Sequence, residues 1–136
     1  MTSSIFRLVR DGAPETAPFG ALRWISHPPS AGPRTLTALE AVIVPGQGHP
    51  FHVHPEQDEI ILVVAGQLEQ WVEDEKRLLE PGDAVVIPMG TVHASFNAGD
   101  DDLRMIATFA PSIGDVGFTM VDVAEEAPWA GLRRQA

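Results

Sequence analysis

The chain has 136 residues, 44% of them hydrophobic, a formal net charge of −10 and no cysteine. That length suits one domain around a single core, and the missing cysteines exclude disulfides, thiolate metal ligands and a thiol nucleophile. With Lys76 as its only lysine, the chain lacks the basic surface that nucleic acid requires, and no apolar run is long enough to span a bilayer.

Residues 1–33 carry Pro14, Pro18, Pro28, Pro29 and Pro33 and read as an irregular arm, with short strands near Ile5–Val9 and Leu22–Ser26. The first residues, Met1 to Arg7, are too polar and too soon charged for a secretory signal, so a cytoplasmic location is expected. From residue 34 to 123 the pattern is a series of short strands. Thr35–Val44 is rich in β-branched residues and stops at Pro45-Gly46; Phe51–His54 is short; Glu59–Ala65 is strongly apolar and stops at Gly66. The run Ile60–Ala65 fits a buried helix on periodicity alone, but its β-branched content and the glycine stop favour a strand. Leu68–Val72 pairs with Lys76–Leu79 around Glu73-Asp74-Glu75. Ala84–Ile87, Val92–Phe96 and Leu103–Phe109 follow, and Gly117–Val121 is a candidate last strand. The tail, 124–136, has room for a short helix. Many short strands with turn signals between them predict an all-β sandwich or barrel in one domain.

The acidic residues cluster at Glu73–Glu75, Asp100–Asp102 and Glu125-Glu126. No calcium-loop spacing of alternating ligands is present, so these are read as solvated turns. A different group has the chemistry of a transition-metal site. His52 and His54 stand two apart on a predicted strand, so both point to one face while Val53 points to the other. Glu59 opens the next strand after the bend Pro55–Asp58, and His93 follows the turn Pro88-Met89-Gly90. Three imidazoles and a carboxylate can hold one divalent ion with positions left open, and they suit iron, manganese, nickel, zinc, cobalt or copper better than calcium or magnesium. A lone His-x-His is more often structural, and a lone glutamate in a bend is normally solvated. The weight lies in the four together.

These positions resemble both motifs of the cupin family, G-x5-H-x-H-x3,4-E-x6-G and G-x5-P-x-G-x2-H-x3-N. Gly46, His52, His54, Glu59 and Gly66 match the first; Gly82, Pro88, Gly90, His93 and Asn97 match the second. The resemblance covers residues 46–97, and the intervening Gln67 to Pro81 has the short length of bacterial members. It implies a double-stranded β-helix, a small jelly-roll barrel, with His52, His54, Glu59 and His93 as ligands of one divalent transition metal. Asn97 is read as a structural turn residue at a strand end.

The resemblance does not choose a reaction, because family members include dioxygenases, decarboxylases, isomerases and lyases. Without Cys or Tyr, a cross-linked Cys–Tyr pair and a tyrosine base are excluded, and no basic cluster is present to bind a phosphosugar. Alternate residues of Thr35–Val44, with Met105, Ala107 and Phe109, are expected to give apolar pocket walls. Trp24 and Trp71 are further candidates, although strand tryptophans are more often core. The leading expectation is an oxidoreductase, a dioxygenase acting on a small enolisable or aromatic molecule, with Glu59 as a ligand and in addition a candidate base. The alternatives are a metal-dependent isomerase, lyase or decarboxylase that uses no oxygen, and a non-catalytic module that binds a small ligand. His49, Glu56 and Asp58 are read as surface turn residues near the pocket mouth, and His27 as unrelated. Uncovered strand edges and the Pro-rich arm point to a homodimer with arms or edge strands exchanged.

Overall fold

The structure, a computed structural model, describes residues 5–32 and 34–135. Eleven strands form two antiparallel sheets. The six-stranded sheet has the order β1 (Glu15–Ala17), β2 (Gly20–Ser26), β3 (Thr37–Ile43), β10 (Leu103–Ala110), β5 (Asp58–Ala65), β8 (Ala84–Ile87). The five-stranded sheet has the order β11 (Val121–Asp122), β4 (Gly48–Val53), β9 (His93–Asn97), β6 (Leu68–Val72), β7 (Glu75–Leu79). Two short helices complete the chain, α1 (Pro28–Ala31) and α2 (Trp129–Gln135). Among the described residues no helix is long and apolar enough to cross a membrane.

The core follows from strand alternation. Leu39, Ala41 and Ile43 on β3, Ile61 and Val63 on β5, and Met105, Ala107 and Phe109 on β10 all point inward and form one cluster. The ambiguous run on β5 is a strand, with Ile61 and Val63 buried and Ile60, Leu62 and Val64 exposed. The outer face of the five-stranded sheet carries a second cluster, Phe51, Trp71 and Ala94, covered by Trp129 and Leu132 of the C-terminal tail. Trp129 stacks on Phe51 at 5.5 Å, and Arg133 pairs with Glu69 at 2.8 Å.

Two expectations need correction. Residues 5–8 form no strand and 9–11 form a single 3-10 turn, although the composition of Ile5–Val9 is strand-like. Strand propensity needs a partner edge, and no strand of the described chain pairs with this segment. The expected last strand at Gly117–Val121 is reduced to Val121–Asp122, because 111–120 runs irregularly from β10 past the barrel interior.

Asn97 ties the ends of three segments together. Its Nδ2 donates to the carbonyls of Ile43 and Asp101, each at 2.8 Å, and its Oδ1 accepts from Gly99 N at 2.8 Å. Asn97→Ala removes the donor to the buried Ile43 carbonyl and to the more exposed Asp101 carbonyl, and should lower unfolding free energy by about 1–3 kcal/mol. Urea denaturation checks this, with metal content expected to stay unchanged.

Candidate metal centre

His52 lies on β4 and pairs across the ladder with His93 on β9. His54 follows directly after β4, and Glu59 sits on β5 in the opposite sheet. The four are buried, and one potential ligand atom from each lies within 4.8 Å of the others. The turn Pro88–Gly90 is fastened to the first half of the site: Gly90 N donates to His54 O at 3.0 Å and Met89 N to Asp58 Oδ1 at 2.8 Å.

Each histidine has an acceptor at Nδ1. His52 donates to Pro50 O at 2.7 Å, His93 to Thr91 O at 2.9 Å, and His54 to Thr119 O at 2.8 Å. A backbone carbonyl only accepts, so these contacts assign the proton to Nδ1 and leave the Nε2 lone pairs for the interior. Burial, the largest effect, pushes both His52 and His54 below the ordinary histidine pKa, while Glu59 pulls His54 partly back.

The contact between His93 and Glu59 tests whether a cation fits. His93 Nε2 and Glu59 Oε1 are 2.9 Å apart, a distance that would make an ion pair if the ring were protonated. Yet both atoms are buried, and among the described residues neither has a hydrogen-bond partner. With Nδ1 turned to the Thr91 carbonyl, Nε2 of His93 is the ring atom that faces the carboxylate. Two lone pairs facing each other out of water are unfavourable unless a cation lies between them. Three imidazoles and one carboxylate drawn together in this way fit a divalent transition ion.

His52, His54 and Glu59 open onto a cavity of about 90 Å³, with His93 behind them. Its walls include Leu39, Ala41 and Ile43 from β3 and Met105, Ala107 and Phe109 from β10, the expected inward faces. Phe19, Leu22 and Phe118 join them, contributed by segments that sequence reading did not connect to the site. Trp71 is buried in the outer cluster instead, and Trp24 packs against His27 and Phe118 without lining the cavity. A larger open cleft of about 580 Å³ between β7 and β8 shares no lining residue with this cavity and, among the described residues, holds no converging donor set.

His49 is the main correction. It lines the cavity, its ring stacked on His52 with centroids 3.7 Å apart, and burial lowers its pKa to about 4. Strict alternation would put His49 and His52 on opposite faces. A register shift between them on β4 turns both inward, as a β-bulge does. Pro50, which cannot donate to a ladder, is the sequence signal for that bulge. Glu56 and Asp58 are exposed as expected, although Asp58 also holds the Pro88–Gly90 turn. His27 is buried away from the donors, stacked on Trp24 with its Nδ1 2.6 Å from Ser30 Oγ.

The cupin-domain family profile matches residues 39–109. Polyketide synthase CurC of Streptomyces cyaneus is 29% identical over 103 residues, covering 76% of this chain and 67% of that protein. Quercetin 2,3-dioxygenase of Bacillus subtilis (strain 168) is 37% identical over 90 residues, which span 64% of this chain but only 26% of that protein. Among solved structures, KdgF from Halomonas sp. superposes with a TM-score of 0.69 at 30% identity, over 78% of this chain and 94% of that one.

The neutral state of His52 has a consequence for the metal-free protein. The unfolded chain protonates this histidine near pH 6.5, whereas the folded chain holds it neutral to much lower pH. The unfolded state therefore binds the extra proton as pH falls, and stability present above pH 6.5 is lost below it. From pH 7.5 to 5.5 His52 alone should remove about 1.4 kcal/mol, with His54 acting in the same direction. Urea titrations of chelator-treated protein at both pH values measure the loss, and His52→Gln should reduce it. A flat profile would contradict the buried neutral rings.

Proposed function

The chain belongs to the cupin family, and we propose that it is a metal-dependent dioxygenase acting on a small enolisable or aromatic molecule, with His52, His54, Glu59 and His93 holding the metal. The observation that carries this reading is the meeting of a buried three-histidine, one-carboxylate set with an apolar cavity. A bound divalent ion would supply Lewis acidity toward the substrate's oxygens.

The protein residues divide the remaining work. Three neutral imidazoles and one carboxylate around a divalent ion leave a net charge near +1, which one enolate neutralises. A dicarboxylate would leave excess negative charge in the cavity, and among the described residues no lysine or arginine lines it. Glu59, buried beside the cavity, would hold the ion through the oxygen that faces His93, and its second carboxylate oxygen would accept the proton that an enol or activated C–H gives up. Neutral His49 offers the cavity's other polar edge, and Phe109 and Phe118, stacked at 4.7 Å, exclude water and orient a flat substrate. The cavity, about 90 Å³, is small, and its size favours a compact β-diketone over a three-ring flavonol. The relatives support the same chemistry: one is named for dioxygen addition to quercetin, the other as a polyketide synthase, and polyketides carry alternating carbonyls that enolise readily.

The test begins with metal analysis of untagged protein, expected to give about one transition ion per chain. Oxygen uptake is then measured with β-diketones and flavonols on protein loaded with Fe, Mn, Ni or Co. Consumption with a β-diketone, reduced at least 100-fold in Glu59→Gln, is expected. No uptake with any loaded form counts against a dioxygenase, and turnover under nitrogen would assign an oxygen-independent lyase, isomerase or decarboxylase.

We also infer a homodimer. Ile60, Leu62 and Val64 on β5 and Val86 on β8 form an apolar strip on the outside of the six-stranded sheet, each between 41% and 68% exposed. Ile60 and Val86 are direct cross-strand partners, so the strip is continuous. Ile5 and Val9 of the arm are exposed as well. A second copy supplies apolar cover for the strip and a partner for the strand-like arm. Light scattering should give twice the 14.7 kDa chain mass, and Leu62→Lys with Val86→Lys should halve it without metal loss.

A further inference from the structure

The three histidines are held by unequal means. His52 and His93 each donate to a carbonyl two residues upstream, at Pro50 and Thr91. Those acceptors come with the strand itself. His54 instead donates to Thr119 O, 65 residues along the chain. Its orientation depends on where the irregular segment 111–120 lies.

Two buried side chains fasten that segment. Thr37, fully buried, donates from its hydroxyl to Gly117 O at 3.0 Å and shares a hydrogen bond with Ser112 Oγ at 2.8 Å. Gln57, 1% exposed, accepts at Oε1 from Thr119 N at 3.0 Å and from Thr119 Oγ1 at 3.2 Å. The backbone N–H can only donate, so the oxygen of the Gln57 amide must face Thr119, and a flipped amide is excluded. The consequence is that Nε2 of Gln57 is buried with no hydrogen-bond partner among the described residues. An unmet buried donor destabilises a fold, and an apolar residue of similar volume avoids that cost. Packing stability therefore does not account for a glutamine here. A required acceptor opposite Thr119 does.

We propose that Gln57 is a positioning residue for His54: it holds the Thr119 peptide, and the Thr119 carbonyl in turn fixes the Nδ1–H tautomer and ring direction of His54. The same peptide follows Phe118, whose ring lies 5.4 Å from His54 and 4.7 Å from Phe109. The wall of the substrate cavity and the orientation of one ligand are thus set by a single anchored segment. The inference rests on the metal reading above but not on dioxygen chemistry.

The experiment uses the full, untagged chain, stripped and reloaded with Zn(II) or Co(II). Gln57→Met keeps the volume and removes the acceptor; Gln57→Glu keeps the acceptor. Gln70→Met is the control, because Gln70 is a buried glutamine hydrogen-bonded to Ser95 and lies outside the donor cavity. Competition with a chromophoric chelator should show Zn(II) affinity weakened roughly 10- to 100-fold in Gln57→Met, restored to within a few-fold in Gln57→Glu, and unchanged in Gln70→Met. The Co(II) visible spectrum should change in Gln57→Met alone. Wild-type affinity and spectrum in Gln57→Met overturn the proposal, whatever happens to its melting temperature. If that variant does not fold, NMR of the Zn(II)-loaded wild type decides. A slowly exchanging His54 Nδ1–H supports the relay, and a proton that exchanges as fast as that of an exposed imidazole overturns it. His93→Ala separates the two readings, since wild-type affinity in that variant defeats the metal assignment itself.

Discussion

The interior of this barrel depends on keeping three imidazole nitrogens and a carboxylate oxygen turned toward one another where water is excluded. Left alone, such atoms repel and would turn outward to solvent. The Nδ1–H contacts to Pro50, Thr91 and Thr119 prevent the rings from turning, and the short approach of His93 Nε2 to Glu59 Oε1 is what remains. The arrangement is preorganised for a cation because the alternatives have been removed by hydrogen bonding and packing. Burial contributes in the same direction by keeping His52 and His54 neutral and therefore able to donate a lone pair.

That constraint explains why a two-sheet barrel carries the site. His52 and His93 are neighbours in one sheet, while Glu59 reaches across from the other. Stacked sheets lie about 10 Å apart, so the spacing between donors is set by the core packed beneath them. The cluster of Ile43, Ile61, Val63, Leu103 and Met105 thus fixes the distance across which an ion must be held. Gly66 shows how little freedom the surrounding turns have. Its φ is positive, and a side chain there would strike the backbone of Asp102 and Leu103.

Much of this was legible in the sequence, for reasons that can be named. The donors lie on strands with fixed alternation and are bounded by glycine and proline turns, so spacing alone brings His52 and His54 to one face. The apolar walls on β3 and β10 follow from the same alternation. What escaped sequence reading depends on departures from regularity or on distant contacts. His49 faces inward because of a bulge that only Pro50 hints at. Phe19 and Phe118 reach the cavity from loops whose path no periodicity fixes. Ile5–Val9 has strand composition without a strand, because pairing is decided by what lies alongside. Thr119 acts through its carbonyl, which every residue type possesses, so no side-chain pattern can reveal it.

The last point bears on how specificity and metal chemistry share one scaffold. Ligands held by their own local turn leave the rest of the chain free to vary, and His52 and His93 are of that kind. A ligand held from a distance ties its holder to the site, and His54 is of that kind. Segment 111–120 cannot be reshaped around a new substrate through Phe118 alone, because the next residue carries the acceptor for His54. Gly117 narrows the choice further: it has positive φ and lies against Thr37 with no space for a Cβ. Changes in substrate are therefore accommodated most readily on β3 and β10, where Leu39, Ala41, Met105 and Ala107 face the cavity and none of their side chains orients a ligand. On this view the metal geometry and the pocket are separable on one wall of the barrel and coupled on the other, with the division running along the segment that Gln57 and Thr37 hold down.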